Sequence, residues 1–312
     1  MGGILAVTDF VGEMPSRRIS SMTMRWGASW RTWRTLLATL GPRMRAVQDI
    51  GPRMLHTDTT AFALFGDYPN QDGGRTAAVE LTWGHTKDHR PDLRQLMAGL
   101  TVDAAGCVLG GSLLSGNTSD RAWHPQWLDQ LDSDYPEDFW QGSYYIADSA
   151  APTADRIQQA RERQSTFILM TSDRTCDAVT ALREYKAQDQ DEHGFRWMKA
   201  PVHLAAFFLE KPERVVGLGY VLLLALQFAR FMRAIVRDAM VSQPPLDLPD
   251  GRKIANPSER VILDALRTLW VERRAAGDVE WYQWTHVKPH VWRILETLRV
   301  PIEHRFQWDD SG

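Results

Sequence analysis

The chain reads as an α/β protein: a mixed sheet flanked by helices, with helical segments before and after it. Three observations carry that reading. Runs rich in Thr, aliphatic and aromatic residues between 54 and 114 are separated by turn-forming clusters, the pattern of an antiparallel meander. Residues 142–147, GSYYIA, then an Asp, then TADRIQQARER and the run 166–170 give strand, turn, helix and strand, which is an α/β unit. Residues 215–229 carry no charge and follow Lys211-Pro212, so a long core helix over 210–236 is expected, with Pro in its first turn.

Length and composition bound the function. At 312 residues, 44% hydrophobic and 24% charged, the chain can bury a sizeable core. Its two cysteines, Cys107 and Cys176, form no CxxC and no pairing with His at ligand spacing, which excludes a disulfide framework or a zinc site and fits a reducing cytoplasm. The N-terminus has acids inside its short apolar run and no basic leader, so no signal peptide is expected. The uncharged run 215–229 is short for a membrane span and meets Arg230 and Arg233 at its end, so it is read as a buried helix and no membrane association is expected.

Net charge is −3, so any polyanion must be met by local positive charge. Residues 1–54 supply it: eight Arg against three acids give +5 and leave −8 for the rest. The order of segments is then a basic Trp/Arg-rich stretch over 1–53, a body over 54–241, and a linker with a helical C-terminal region over 242–312.

Within 23–40, Trp26, Trp30 and Trp33 recur at helical spacing with Arg25, Arg31 and Arg34 mostly off that stripe. Such a helix either docks its tryptophans on the body or serves as a DNA-contacting arm. Gly41-Pro42 and Gly51-Pro52 read as breaks before the first strand. MLHTDTTAFALF, 54–65, is that strand, with Asp58 near its middle, and 75–83 is the next, across a DYPNQDGG turn. Strands near 96–102 and 107–114 follow, then a helix at 122–131 in an acidic segment. Strand 142–147 delivers Asp148 at its carboxyl end, where open sheets place their chemistry. Beyond the core helix, SQPPLDLPDG is a linker, Asn256-Pro257 caps a helix running to about 274, and Trp281, Trp284, Trp292 and Trp308 mark the tail.

The stretch YKAQDQDEHGFRWMK, 185–199, organises the functional reading. As a helix it places Tyr185, Gln188, Glu192 and Lys199 at about 0°, 300°, 340° and 320° around its axis, on one narrow face. A phenol, an amide, a carboxylate and an ammonium make a poor hydrophobic seam, so this face is either solvated or turned to something polar.

The spacing Tyr, two residues, Gln, three residues, Glu, six residues, Lys resembles the Tyr-Arg-Glu-Lys signature of DDE transposases of the insertion-sequence-four family, with Gln188 in the Arg place. HTDTTAF around Asp58 and YYIADSA around Asp148 resemble that family's two aspartate contexts, in order, and GHTKDHRPDLRQL at 84–96, GNTSD at 116–120 and EKPERVVGLGYVLLLAL at 210–226 resemble the same subgroup. The resemblance spans roughly 55 to 265. It implies an RNase H-like fold with the first Asp on the first strand, the second after the fourth, and the Glu on a later helix. It further implies a site in which Asp58 bridges two magnesium ions, Asp148 and Glu192 each bind one, and manganese can substitute. Such ions suit in-line displacement at a phosphodiester because they neutralise charge building on its oxygens. Lys199, Tyr185 and Gln188 are expected on DNA phosphates. Lys87, His89 and Arg90 are either further backbone contacts or a polar loop surface.

The implied function is cut-and-paste transposition, with element ends and target as double-stranded DNA partners, a homodimer on two ends, and a bacterial cytoplasmic, nucleoid-associated location. Two departures set the alternatives. Only 43 residues, 149–191, separate the second and third acids where relatives carry a longer β-rich insertion, and the segment before Asp58 is short. A remnant that binds DNA without transposing, or a stand-alone RNase H-like nuclease, therefore stand beside the transposase reading.

Overall fold

The computed structural model describes residues 30–47, 53–66, 68, 79–85, 90–136, 139, 143–147, 177, 179–180, 183, 189–200, 209, 211–276, 279–285 and 287–300. The chain divides into two compact units, one over Trp26–Gln227 and one that includes Phe228–Gly312.

The first unit is built on a four-stranded sheet. β1 (Arg53–Leu64), β2 (Arg94–Val102) and β3 (Val108–Ser115) run antiparallel, and β4 (Ser143–Ala147) joins the other side of β1 in parallel, giving the order β3-β2-β1-β4. The fold is thus mixed α/β, as expected. The predicted strand over 75–83 is a correction: its described residues, 79–83, form no strand, and Thr82 makes only an isolated bridge to Gln95.

Alternation along β1 separates two faces. On one, Thr57 shares a 2.8 Å hydrogen bond with Thr101, whose hydroxyl also accepts from the Trp127 indole at 2.7 Å, so these three buried polar groups satisfy one another. Trp123, Trp127 and Leu131 come from helix α2 (Asp120–Asp134), begun by the Ser119 cap, and they pack with Leu55 and Leu109. Gly99 lets the Trp123 ring lie on the strand backbone, since a β-carbon there would stand 2.2 Å from the ring.

The N-terminal helix α1 (Trp30–Val47) covers β3, which would otherwise be an open edge. Leu37, Leu40 and Met44 are buried, while Arg34 is exposed and donates to Gln130. The expected break at Gly41-Pro42 does not occur: both lie inside α1. Gly41 is there for proximity, because a β-carbon would sit 2.1 Å from the Leu109 carbonyl oxygen and 2.6 Å from the Tyr135 hydroxyl.

On the opposite face lie α3 (Asp189–Met198) and the first part of α4 (Pro212–Ser242). Gly219 of α4 brings the helix backbone against Leu113 and Leu96, and Leu223 reaches Gly111. The side-chain amide of Gln227, buried, donates to the Leu37 and Val108 carbonyls at 3.4 and 3.3 Å. By length and composition α4 could cross a membrane, with a mean hydropathy of 1.8 over its most apolar window. Its buried glutamine and its buried Arg230 and Arg233 give it the character of a core helix instead.

In the second unit, the later part of α4 packs Val236 and Met240 against Ile262, Val291, Ile294 and Leu295. The expected linker at 242–251 contributes to a short ladder between β5 (Leu246–Asp247) and β6 (Lys253–Ile254), turned by Gly251 at a φ of 82°. The helix expected from Asn256 to about 274 is shorter. α5 (Glu259–Leu266) is capped by Ser258, and the chain then forms β7 (Trp270–Ala276), paired with β8 (Val279–Thr285), before α6 (Pro289–Thr297). The β7–β8 ladder ends at the pair Ala276 and Val279.

Candidate active site

Asp58 lies in the middle of β1, half-buried, and its Oδ1 accepts the main-chain N–H of Thr59 at 2.7 Å. The Thr59 hydroxyl donates to Asp120 at the start of α2, so the strand next to Asp58 is tied to the GNTSD motif. Directly across the ladder from Asp58 is Leu100.

Helix α3 crosses above this pair of residues. Gly194 makes the approach possible: a β-carbon there would stand 3.1 Å from a Leu100 methyl group. A mid-helix glycine costs about 1 kcal/mol relative to alanine, which close packing on the sheet offsets here. Phe195 and Met198 bury the same side of the helix. Glu192 is a helical residue two positions before Gly194, and its side chain lies outside the described residues.

β4 ends where Ala147 pairs with Thr57, and Asp148 and Asp58 are the residues that follow this pair in sequence. Asp148 itself lies outside the described residues, as do Tyr185, Gln188, Lys87 and His89. Of the three expected acids, then, Asp58 is the one with a described side chain, and among the described residues no group of three or more His, Cys, Asp or Glu could hold a metal ion.

Two expected cations are described. Lys199 follows α3, its N–H bonded to the Phe195 carbonyl at 2.9 Å, and its ammonium stands 5.7 Å from the Phe62 ring centroid. Phe62 is four residues beyond Asp58, so both side chains leave the same face of β1. Arg90 is exposed and clasps Asp92 through two bonds of 2.8 and 2.7 Å, 5.9 Å from the Phe65 ring centroid. The hydrogen bond from Arg90 holds the Asp92 carboxyl below its ordinary range. Any phosphate reaching Arg90 therefore competes with a carboxylate already in place.

Residue-by-residue reading missed the way the 84–96 and 116–120 motifs meet. Gly84 and Gly116 lie back to back, with the buried Gln95 amide donating to the Gly116 carbonyl at 2.6 Å. The Glu80 N–H bonds Ser115, its carbonyl accepts from Gly116, and the Arg94 guanidinium bonds the Leu81 carbonyl. Two glycines followed by polar residues in separate loops are the signal that could have revealed this clamp. A β-carbon on Gly84 would lie 2.0 Å from the Gly116 oxygen, a clash of main chain on side chain that no rotamer relieves. Gly84→Ala is expected to cost about 1–3 kcal/mol in urea unfolding, whereas Gly217→Ala, in open space on α4, is expected to cost nothing or stabilise by up to about 1 kcal/mol.

No protein-family model matches this chain, and no curated protein matches it. Among solved structures, the crystal structure of a pre-cleavage Mos1 transpososome aligns with 72% of this chain and 69% of its own, at 13% identity and a TM-score of 0.22. Similarity at that level assigns neither fold nor activity.

Proposed function

We propose that this chain is a DDE-type DNA transposase with an RNase H-like catalytic fold, cleaving DNA at insertion-sequence ends and joining the freed 3′-hydroxyl to a target. The observation that supports it most is the parallel pairing of Thr57 with Ala147, the residues that precede Asp58 and Asp148 in sequence, with the helix that bears Glu192 above Leu100. The sheet order supports the RNase H-like reading: a three-strand antiparallel meander with a fourth strand parallel to the first. The ordered acid motifs and the Tyr-Gln-Glu-Lys spacing support the family reading.

The acid set suits magnesium. Asp58 offers a hard oxygen donor on a half-buried carboxylate that the Thr59 N–H orients, and Asp148 and Glu192 would complete a set of carboxylates from three elements. Metal ions held there supply neutralisation of the charge that develops on the attacking, leaving and nonbridging oxygens. The chain's own residues do the rest. Lys199 sets a compact positive charge beside the phosphate next to the scissile bond, Tyr185 donates its hydroxyl to a phosphate oxygen, and Gln188 donates an amide hydrogen bond. Two element ends require two copies of the site, which makes a homodimer on DNA the working assembly. The short 149–191 interval favours the rival in which the chain holds DNA without joining it.

Incubating the protein and magnesium with a precleaved element end and a plasmid target separates the readings. The transposase is expected to give covalent joints between the 3′-end and the target. Cleavage without joints would leave a nuclease, and DNA binding with neither would leave a remnant.

A further inference from the structure

Beside the glycine clamp stands an exposed tryptophan. Trp83 precedes Gly84 and follows Thr82, which bridges to Gln95, yet 51% of its surface is open. The Arg94 guanidinium lies over its ring, 4.3 Å from the centroid, and is itself fixed by the Leu81 carbonyl. Phe65, 42% exposed, has Arg90 beside it in the same relation. An aromatic ring with a cation over it and about half of its surface in solvent offers both a stacking plane and a charge.

The position of this pair follows from the ladder. Arg94 pairs with Leu64, six residues beyond Asp58, so Asp58, Phe62 and Arg94 share one face of the sheet. Six residues at roughly 3.3 Å each place Arg94 about 20 Å along the strand from Asp58. Lys199, over Phe62, stands between them. A carboxylate, an ammonium and a guanidinium-backed tryptophan thus succeed one another along one face, with Asp92 already neutralising Arg90 and Glu80 exposed on the same loop.

We infer that Trp83 and Arg94 form a binding site for an unpaired nucleotide of single-stranded DNA, the base stacking on Trp83 and the neighbouring phosphate meeting Arg94. The inference rests on the proposed function for the identity of the ligand as DNA. It goes beyond that function in assigning a nucleotide site to a loop that contributes no acid to the chemistry. An acidic peptide would use the guanidinium and leave the ring idle.

The test is fluorescence anisotropy in metal-free buffer with a short labelled oligodeoxythymidylate and, beside it, the same sugar–phosphate chain without bases. Wild type is expected to bind the base-bearing strand about ten- to hundred-fold more tightly than the abasic one. Trp83→Ala is expected to lose that preference, Trp83→Phe to keep most of it, and Arg94→Gln to weaken both ligands and lower the salt dependence. Equal binding of the two ligands by wild type, no binding of either, or undiminished preference in Trp83→Ala would each overturn the inference. The wild-type comparison needs no variant, so it stands even where a substitution disturbs the loop. Failure here with joints formed in the end-joining assay would leave the transposase reading intact, and a Trp83-dependent preference without joints would leave the nucleotide site intact.

Discussion

Asp58→Asn and Asp148→Ala are each expected to lower magnesium-dependent strand cleavage about a thousand-fold, the loss of several kcal/mol of charge stabilisation in the transition state. Asn is the informative replacement at 58. It keeps an Oδ1 that can accept the Thr59 N–H, so the strand retains its local bond while the negative charge that would hold a cation is gone. Unfolding of Asp58→Asn should therefore stay close to wild type while cleavage of a supercoiled plasmid carrying element ends collapses. Retained cleavage in either variant would remove that residue from the acid set. A parallel loss of folding and cleavage in Asp58→Asn would instead make Asp58 a structural residue of β1.

The second large effect belongs to the unit that includes Phe228–Gly312. Glu259, in the first turn of α5, forms an ion pair with Arg230, 2.8 Å from its Nε, and accepts a hydrogen bond from the Arg233 guanidinium at 3.0 Å, and all three residues are buried. The helix N-terminus adds to the stabilisation of that carboxylate. Arg237 nearby is held below its ordinary value, by burial first and by Arg233 second. Removing this carboxylate takes a buried negative charge from beside two buried guanidinium groups, so Glu259→Ala is expected to cost about 3–5 kcal/mol in guanidinium unfolding. Glu259→Gln, which keeps an oxygen but not the charge, should fall between. Asp264 is the contrast: its pairs with Arg260 and Arg267 are exposed, and Asp264→Ala should change stability by no more than about 0.5 kcal/mol. A Glu259→Ala cost below about 1 kcal/mol would mean that this carboxylate does not hold the two arginines.

Strands β1 to β4 were legible because their signals are local: Thr, Val and aromatic runs between turn clusters, each long enough to show its period. The core helix was legible for the same reason, from an uncharged run opened by Lys211-Pro212. What failed was decided by partners distant in sequence. TAAVELTW alternates like a strand, but the described part of that loop takes its bonds from the ends of β2 and β3 and lies beside a pair of apposed glycines. Gly41-Pro42 looks like a break to any local rule, yet α1 runs through it because the contact with Leu109 and Tyr135 has no room for a side chain. VERRAA has helix-forming residues, and pairing with VEWYQWT overrides them. In the candidate site, Asp58 could be found from its motif. The glycine within α3 and the Trp83–Arg94 pair could not, since each acquires meaning from a residue on another element.

The parallel pairing of β4 on β1 also sets an order of events during translation. About eighty residues separate the end of β1 from the start of β4, which at a synthesis rate of roughly 5–20 residues per second is about 4–16 seconds. For that interval the emerging meander has one side of β1 without its native neighbour, a hazard for pairing between nascent chains on one message. Under the proposed function the delay protects the cell as well. A chain still attached to its ribosome carries Asp58 alone until β4 and then α3 have been made, so the strand-breaking centre is assembled late, after most of the sheet that supports it.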